Sequence, residues 1–186
     1  MQVKFCGLTQ INDVQRAVAL GVDAIGLVFY PPSPRAVSAA QAQDLVKHIP
    51  AFVSVVALVV NTSFDELVNL ADQVAFDVIQ FHGDESASDC AKLAKQVNKR
   101  WVKALRIDAQ SQTLDSINTQ IKEFAEAGAS SILLDAYHKE TYGGTGERFD
   151  WSLIPSNATL PIILAGGLTP QNVADTLTLP ISAVDV

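Results

Sequence analysis

The chain has 186 residues, of which 48% are hydrophobic, and it carries a formal net charge of −7. Chains of this length and composition usually bury one core, so we expect a single domain over residues 1–186. The acidic balance and the scattered Lys and Arg residues argue against a nucleic-acid partner. An anionic small molecule stays possible, because helix N-termini and one well-placed Arg can bind it.

The N-terminus lacks the apolar run and cleavage site of a signal peptide. No apolar run approaches the length of about 20 residues that spans a bilayer, so we expect a cytoplasmic protein without a membrane partner. In that compartment the two cysteines, Cys6 and Cys90, are expected to be thiols. Neither stands in a metal-binding spacing with His or Cys, and no metal site is predicted.

Short runs rich in Val, Ile, Leu and Phe alternate along the whole chain with longer stretches of helical periodicity, a pattern typical of βα units. The runs predict eight strands, at 3–6, 24–29, 53–60, 78–81, 101–106, 131–135, 161–165 and 183–186. The periodic stretches predict helices at 10–20, 39–48, 64–74, 87–97 and 114–127. Because nearly every strand residue is apolar, both faces of the sheet should be buried and the strands parallel.

Helix boundaries carry their own signals. Thr9, Ser38 and either Thr62 or Ser63 precede predicted helices and can cap their first N–H groups. Gly21 and Gly128 follow predicted helices, where a left-handed residue is favoured.

Eight βα units favour a parallel (β/α)8 TIM barrel in the α/β class. An open doubly wound sheet usually has fewer strands and a Gly-rich first turn, which this chain lacks. In such barrels the chemistry lies at the carboxyl ends of the strands. The chain ends inside the eighth predicted strand, so we expect the last loop and helix of the barrel to be missing from it.

Two residues at strand ends are the candidate catalytic groups. Cys6 closes the first strand, and its thiolate can abstract a proton if a neighbour lowers its pKa. The alternative, a small buried hydrophobic residue, is equally open from position alone. Asp135 emerges from an apolar strand, where Asp is rare for reasons of stability. It can act as a proton donor, although a cap or loop hydrogen bond is an alternative.

Other polar groups follow the strands. Arg35 lies in a loop stiffened by three prolines and can hold a carboxylate, and an ordinary exposed surface arginine is the alternative. His82 ends the fourth strand and can line the pocket, but we assign it no proton-transfer role. Asp185 in the last strand also points to the catalytic end.

Two glycine-rich segments complete the candidate substrate-binding residues. Gly143, Gly144 and Gly146 permit a close approach of the backbone to a ligand, or a lid. Gly166 and Gly167 follow the seventh strand, where barrels of this type often bind phosphate. A tight turn is the alternative for the second segment.

Six motifs stand in order along the chain: VKFCGLT at 3–9, SPR at 33–35, QFHGDE at 80–85, LLD at 133–135, GGTG at 143–146 and LAGGL at 164–168. Together they resemble the signatures of the phosphoribosylanthranilate isomerases of tryptophan biosynthesis. The resemblance covers the whole chain. It implies an Amadori rearrangement of N-(5-phosphoribosyl)anthranilate to 1-(2-carboxyphenylamino)-1-deoxyribulose 5-phosphate, with no metal or organic cofactor.

The resemblance also implies roles for individual residues. Cys6 matches the general base of that family and Asp135 its general acid. Arg35 matches the group that holds the anthranilate carboxylate, and the backbone around Gly166 and Gly167 would hold the phosphate. The family continues beyond Val186 with a turn that adds phosphate contacts and a final helix. A chain without them is expected to bind phosphate less well.

Other functions stay open. The isomerase of histidine biosynthesis would want an Asp at the position of Cys6. A pentose-phosphate epimerase would want metal-binding His and Asp residues on several strands, which three histidines do not supply. A barrel fragment that binds its ligand without turnover is a third alternative. The sequence leaves the oligomeric state open between a monomer and a homodimer.

Overall fold

The computed structural model describes residues 1–108, 110–136 and 149–186. It contains eight strands, each within one residue of its predicted ends. The strands are β1 (Gln2–Cys6), β2 (Ala24–Val28), β3 (Ser54–Val59), β4 (Val78–Phe81), β5 (Arg100–Ile107), β6 (Ser131–Ala136), β7 (Ile162–Leu164) and β8 (Ala183–Asp185).

Five α-helices connect the first six strands, as predicted. They are α1 (Ile11–Ala19), α2 (Ala39–Val46), α3 (Phe64–Gln73), α4 (Ala87–Gln96) and α5 (Leu114–Glu126). Two short 3₁₀ helices, Trp151–Leu153 and Val173–Thr178, accompany β7 and β8 and were not predicted. Among the described residues, no helix is both long enough and apolar enough to cross a membrane.

The helix caps follow the sequence signals with one exception. Ser38 and Ser63 each accept a hydrogen bond from the third residue of their helix in a capping box. Gly21 and Gly128 have φ values of 83° and 97°, the left-handed conformation expected after a helix. The prediction for Thr9 is wrong, because α1 has Gln10 as its N-cap and no side chain caps it.

The strands pair in parallel and in chain order, and β1 pairs with β8 to close the barrel. In this last pairing Lys4 is the register partner of Asp185. The closed eight-stranded barrel confirms the predicted fold class. That residues 1–186 form a single domain stays a prediction.

Side chains on the outer face of the strands form the main core with the helices, and Ile25, Ile79 and Ile132 are fully buried there. Alternate residues point into the barrel, where a second, smaller apolar cluster contains Val102, Ala104, Leu133 and Ala165. The barrel interior also holds polar side chains, and these lie toward the carboxyl ends of the strands or one layer below.

Candidate active site

A cavity of about 220 Å³ opens at the carboxyl ends of the strands. It is lined by seven of the predicted site residues, namely Cys6, Arg35, His82, Asp135, Gly166, Gly167 and Asp185. The remaining three, Gly143, Gly144 and Gly146, lie outside the described residues. The structure therefore brings every described candidate to one site.

Cys6 is a free thiol at the end of β1. Its Sγ packs against Gly26 of β2 so closely that a Cβ added to the glycine would lie 2.7 Å from the sulfur. Burial raises the pKa of the Cys6 thiol above its usual value, and the Lys4 ammonium is the strongest opposing influence. The sulfur therefore occupies a tight pocket with a cation directly beside it.

Lys4 and Asp185 form a buried ion pair beneath this sulfur. Lys4 Nζ donates to Asp185 Oδ2 over 2.7 Å, and both side chains are 6% exposed. The other carboxylate oxygen, Oδ1, is buried and has no hydrogen-bond partner among the described residues. Because an unsatisfied buried oxygen is costly and Asp185 lines the cavity, Oδ1 is available to accept a ligand hydroxyl.

Asp135 reaches the cavity from β6, which is not adjacent to β1 in the barrel. His82 Nε2 lies 3.3 Å from Asp135 Oδ2, and His82 Nδ1 lies 3.0 Å from the Gln80 side-chain amide. An imidazole with its proton on Nε2 satisfies both contacts, since it accepts from the amide and donates to Asp135 Oδ2. All three side chains are buried, so this chain of hydrogen bonds fixes the orientation of the carboxylate.

Arg35 is drawn over the end of β1. Its Nη1 donates to the carbonyl oxygen of Cys6 over 2.9 Å. A Cβ on Gly7 would lie 2.7 Å from Arg35 Cδ, and Gly7 has a φ of 81°. A glycine is therefore required there for the guanidinium to reach the rim of the cavity.

Two glycines of the loop after β7, Gly166 and Gly167, line the cavity. Gly166 and Gly167 have φ values of 79° and 63°. Among the described residues, no acceptor takes a hydrogen bond from either N–H. Asn172 holds the loop in place, because it donates to the Gly167 carbonyl and accepts from the Thr169 N–H, both over 2.8 Å. Such an arrangement suits an anion.

Sequence reasoning missed two polar residues of this site, Lys4 and Gln80. Lys4 lies two residues before Cys6 on β1, and Gln80 of β4 lies two residues before His82, which directly follows that strand, so each shares the inward direction of its candidate. A lysine or glutamine on the inward face of an apolar strand was the signal that could have found them. Within the described ranges, no group of three or more His, Cys, Asp or Glu residues is arranged to hold a metal ion.

The fold and the cavity define a class: a (β/α)8 barrel with a thiol and a carboxylate that line one cavity. Residues 3–186 match the family model described as N-(5'phosphoribosyl)anthranilate (PRA) isomerase. An N-(5'-phosphoribosyl)anthranilate isomerase of Acinetobacter calcoaceticus is 50% identical over 186 residues, which are 100% of this chain and 85% of the relative. The chain belongs to the phosphoribosylanthranilate isomerase family.

Solved structures agree. The phosphoribosyl anthranilate isomerase of Thermus thermophilus has a TM-score of 0.85 and 27% identity, with 100% of this chain and 86% of that chain covered. A second phosphoribosyl anthranilate isomerase was solved in complex with reduced 1-(o-carboxyphenylamino)-1-deoxyribulose 5-phosphate. Its TM-score is 0.81 and its identity 31%, with the same coverage.

Proposed function

We propose that this chain catalyses the Amadori rearrangement of N-(5-phosphoribosyl)anthranilate to 1-(2-carboxyphenylamino)-1-deoxyribulose 5-phosphate, a step of tryptophan biosynthesis. Family membership supports the reaction. The structural observation that carries the proposal is that Cys6 and Asp135 face one cavity from non-adjacent strands. Ring opening of the sugar needs a proton donor and loss of the C2 proton needs a proton acceptor, and two groups on separate strands can fill these two roles.

In the first step, Asp135 donates a proton to the ring oxygen of the ribose, and the bond between that oxygen and C1 breaks. The anthranilate nitrogen supplies the electron pair, so a protonated Schiff base forms. Asp135 is left as a carboxylate, which accepts the hydrogen bond from His82 Nε2. This hydrogen bond stabilises the charge that develops during ring opening.

In the second step, the Cys6 thiolate removes the proton from C2. The electron pair of the C–H bond forms the C1–C2 double bond of an enolamine, the pair of the C1–N double bond returns to nitrogen, and the sulfur becomes a thiol. Tautomerisation then gives the ketone, as C1 gains a proton and the C2 hydroxyl loses one. Asp135 has given one proton and Cys6 has taken one, so the product is an isomer of the substrate, and proton exchange with solvent restores both groups for the next turnover. The residues described here supply both transfers without an added cofactor.

The remaining residues hold the substrate between the two groups. Arg35 pairs with the anthranilate carboxylate, and the N–H groups of Gly166 and Gly167 bind the phosphate. Asp185 Oδ1 accepts a hydroxyl of the sugar. Gly143, Gly144 and Gly146 are proposed to approach the substrate through their backbone, as the sequence predicts. Opposite negative ends of the substrate are thus held at two sides of the cavity.

We propose that the protein is a monomer or a homodimer. A relative from Thermotoga maritima is described as a dimeric enzyme from which monomers were generated. Because the substrate is a phosphorylated biosynthetic intermediate, we expect the protein to act in the cytoplasm.

The test is a direct assay. Phosphoribosylanthranilate is fluorescent, so the purified chain should make its fluorescence decay, with 1-(2-carboxyphenylamino)-1-deoxyribulose 5-phosphate as the product identified by mass spectrometry and chromatography. The aminoimidazole aldose substrate of histidine biosynthesis serves as the comparison and should not be turned over. Binding of the reduced product analogue without turnover would instead indicate a non-catalytic barrel.

A further inference from the structure

Lys4 is a buried cation that the reaction steps above do not use. It is 5% exposed and lies on the inward face of β1, two residues before Cys6. A lysine in a barrel interior is rare, because burial of an ammonium costs several kcal/mol unless it is paired. Its presence at this position therefore calls for a partner, and it has two.

The first partner is Asp185. The ion pair joins β1 to β8, the pair of strands that closes the barrel, and Lys4 and Asp185 are direct register partners. Although burial lowers the pKa of Lys4, the Asp185 carboxylate raises it, and the net result lies above the usual value. Lys4 therefore stays protonated throughout the working pH range of a typical enzyme.

The second partner is the Cys6 sulfur, because the Lys4 ammonium lies near it and is the strongest influence that favours the thiolate. Gly26 leaves room for this contact, since a Cβ at that position would lie 2.7 Å from Cys6 Sγ and 3.0 Å from Lys4 Nζ. Because Gly26 of β2 has no side chain, the Lys4 ammonium and the Cys6 sulfur can both lie against it.

We infer that Lys4 is a positioning residue for the general base: its ammonium stabilises the Cys6 thiolate and holds the sulfur at the floor of the cavity. This inference rests on the proposed role of Cys6. During the reaction the proton moves from C2 to Sγ, while Lys4 keeps its own protons. The cation thus raises the fraction of Cys6 that is present as the thiolate, and it takes no part in bond making.

The other charges around Cys6 show why a cation is needed. Asp185 opposes a thiolate, and burial opposes it more strongly. Arg35 favours the thiolate less than Lys4 does, and its guanidinium is reserved for the substrate carboxylate. His82 and Asp135 line the same cavity. Without Lys4, burial and the Asp185 carboxylate would both disfavour the thiolate, and Arg35 alone would favour it.

A purely structural role is the alternative, in which Lys4 serves only to neutralise Asp185 and to close the barrel. The two roles differ in one observable, the pKa of the Cys6 thiol in the absence of substrate. A structural ion pair affects the free energy of unfolding, whereas a positioning cation also affects the thiol.

The experiment measures the rate at which iodoacetamide alkylates Cys6 over a range of pH, in a Cys90→Ala background that leaves one thiol. Since only the thiolate reacts, the pH dependence of the rate gives the thiol pKa. Lys4→Gln should displace the curve to higher pH and slow alkylation near neutral pH by about tenfold or more, because one pKa unit is tenfold in thiolate. Lys4→Arg should restore the parent curve.

Lys103→Gln is the matched control. Lys103 is buried to 3% exposure and pairs with Glu85 over 2.8 Å, but it lies on the outer face of β5. Its replacement should lower stability and leave the Cys6 curve in place. A folded Lys4→Gln protein with the parent curve would overturn the inference.

If Lys4→Gln does not fold, the double variant Lys4→Met with Asp185→Asn buries no unpaired charge and should fold. It should show a smaller displacement in the same direction, because Lys4 influences the thiol more than Asp185 does. A double variant whose curve matches the parent curve, or is displaced to lower pH, would contradict the inference. The thiol titration needs no substrate, so failure of the proposed isomerase activity would be seen separately in the fluorescence assay.

Discussion

The tight contact between Gly26 and Cys6 allows the base to be displaced without removal of any functional group. In a Gly26→Ala variant the new methyl would lie 2.7 Å from Cys6 Sγ and 3.0 Å from Lys4 Nζ. Ordinary contact distances are near 3.5–4.0 Å, so the sulfur must move by about 1 Å. A misplacement of this size costs up to about 100-fold in rate.

We therefore expect Gly26→Ala to lower kcat by about 10- to 100-fold with little change in KM, because Arg35 and the loop at Gly166 are untouched. The fluorescence assay measures both constants. Gly21→Ala is the control: it has a φ of 83° and open space around it, so it should cost about 1 kcal/mol of stability without affecting kcat. Wild-type kcat in a folded Gly26→Ala protein would refute the placement of Cys6 as the base.

Three further predictions concern other parts of the chain. His82→Leu should lower kcat by about 10- to 100-fold, because a buried hydrogen bond to a charged group is worth about 1.5–3 kcal/mol. His48→Leu, at an exposed helix end, is the control and should leave kcat unchanged. If the two variants lower kcat equally in steady-state kinetics, His82 has no special role. Arg35→Lys should raise KM about tenfold and leave kcat unchanged, since lysine cannot bind a carboxylate in a bidentate manner. The substitution Arg16→Lys, at an exposed position, is the control. An unchanged KM in Arg35→Lys would show that the anthranilate carboxylate binds elsewhere. Burial raises the pKa of Cys90 from 9.0 to about 12, so the folded state keeps a proton that the unfolded state loses. The free energy of unfolding should then fall by about 1 kcal/mol per pH unit above pH 9, and urea unfolding of Cys90→Ala should show a shallower fall than the parent protein. Parallel slopes would contradict this assignment.

The strands were predictable because of their composition. β3, β4 and β6 are mostly apolar and are buried on both faces, as is typical of a parallel sheet covered by helices. Local chemistry also placed the caps at Ser38 and Ser63. The cap predicted at Thr9 failed because α1 begins one residue later than the hydroxyl requires, and boundaries shift in this way when packing decides where a helix starts.

The candidate site was predictable as a set of strand ends, because parallel strands bring their carboxyl ends together. The contacts within it were not. The proximity of His82 to Asp135 spans β4 and β6, and the pairing of Lys4 with Asp185 depends on the register of β1 against β8. Both are set by barrel closure, which a local pattern does not encode. Gln80 and Lys4 carry a local signal, but their partners do not.

The central claim is that Cys6 is the base and Asp135 the acid of one isomerisation. The most direct test compares the turnover of phosphoribosylanthranilate by Cys6→Ala and Asp135→Asn with the affinity of each variant for the reduced product analogue. General acid and base groups contribute about 10²- to 10⁴-fold, so each variant should lose at least about 100-fold in kcat while its Kd for the analogue stays near that of the parent. A variant that keeps about a tenth or more of the parent kcat, with binding intact, would contradict the assignment of that residue.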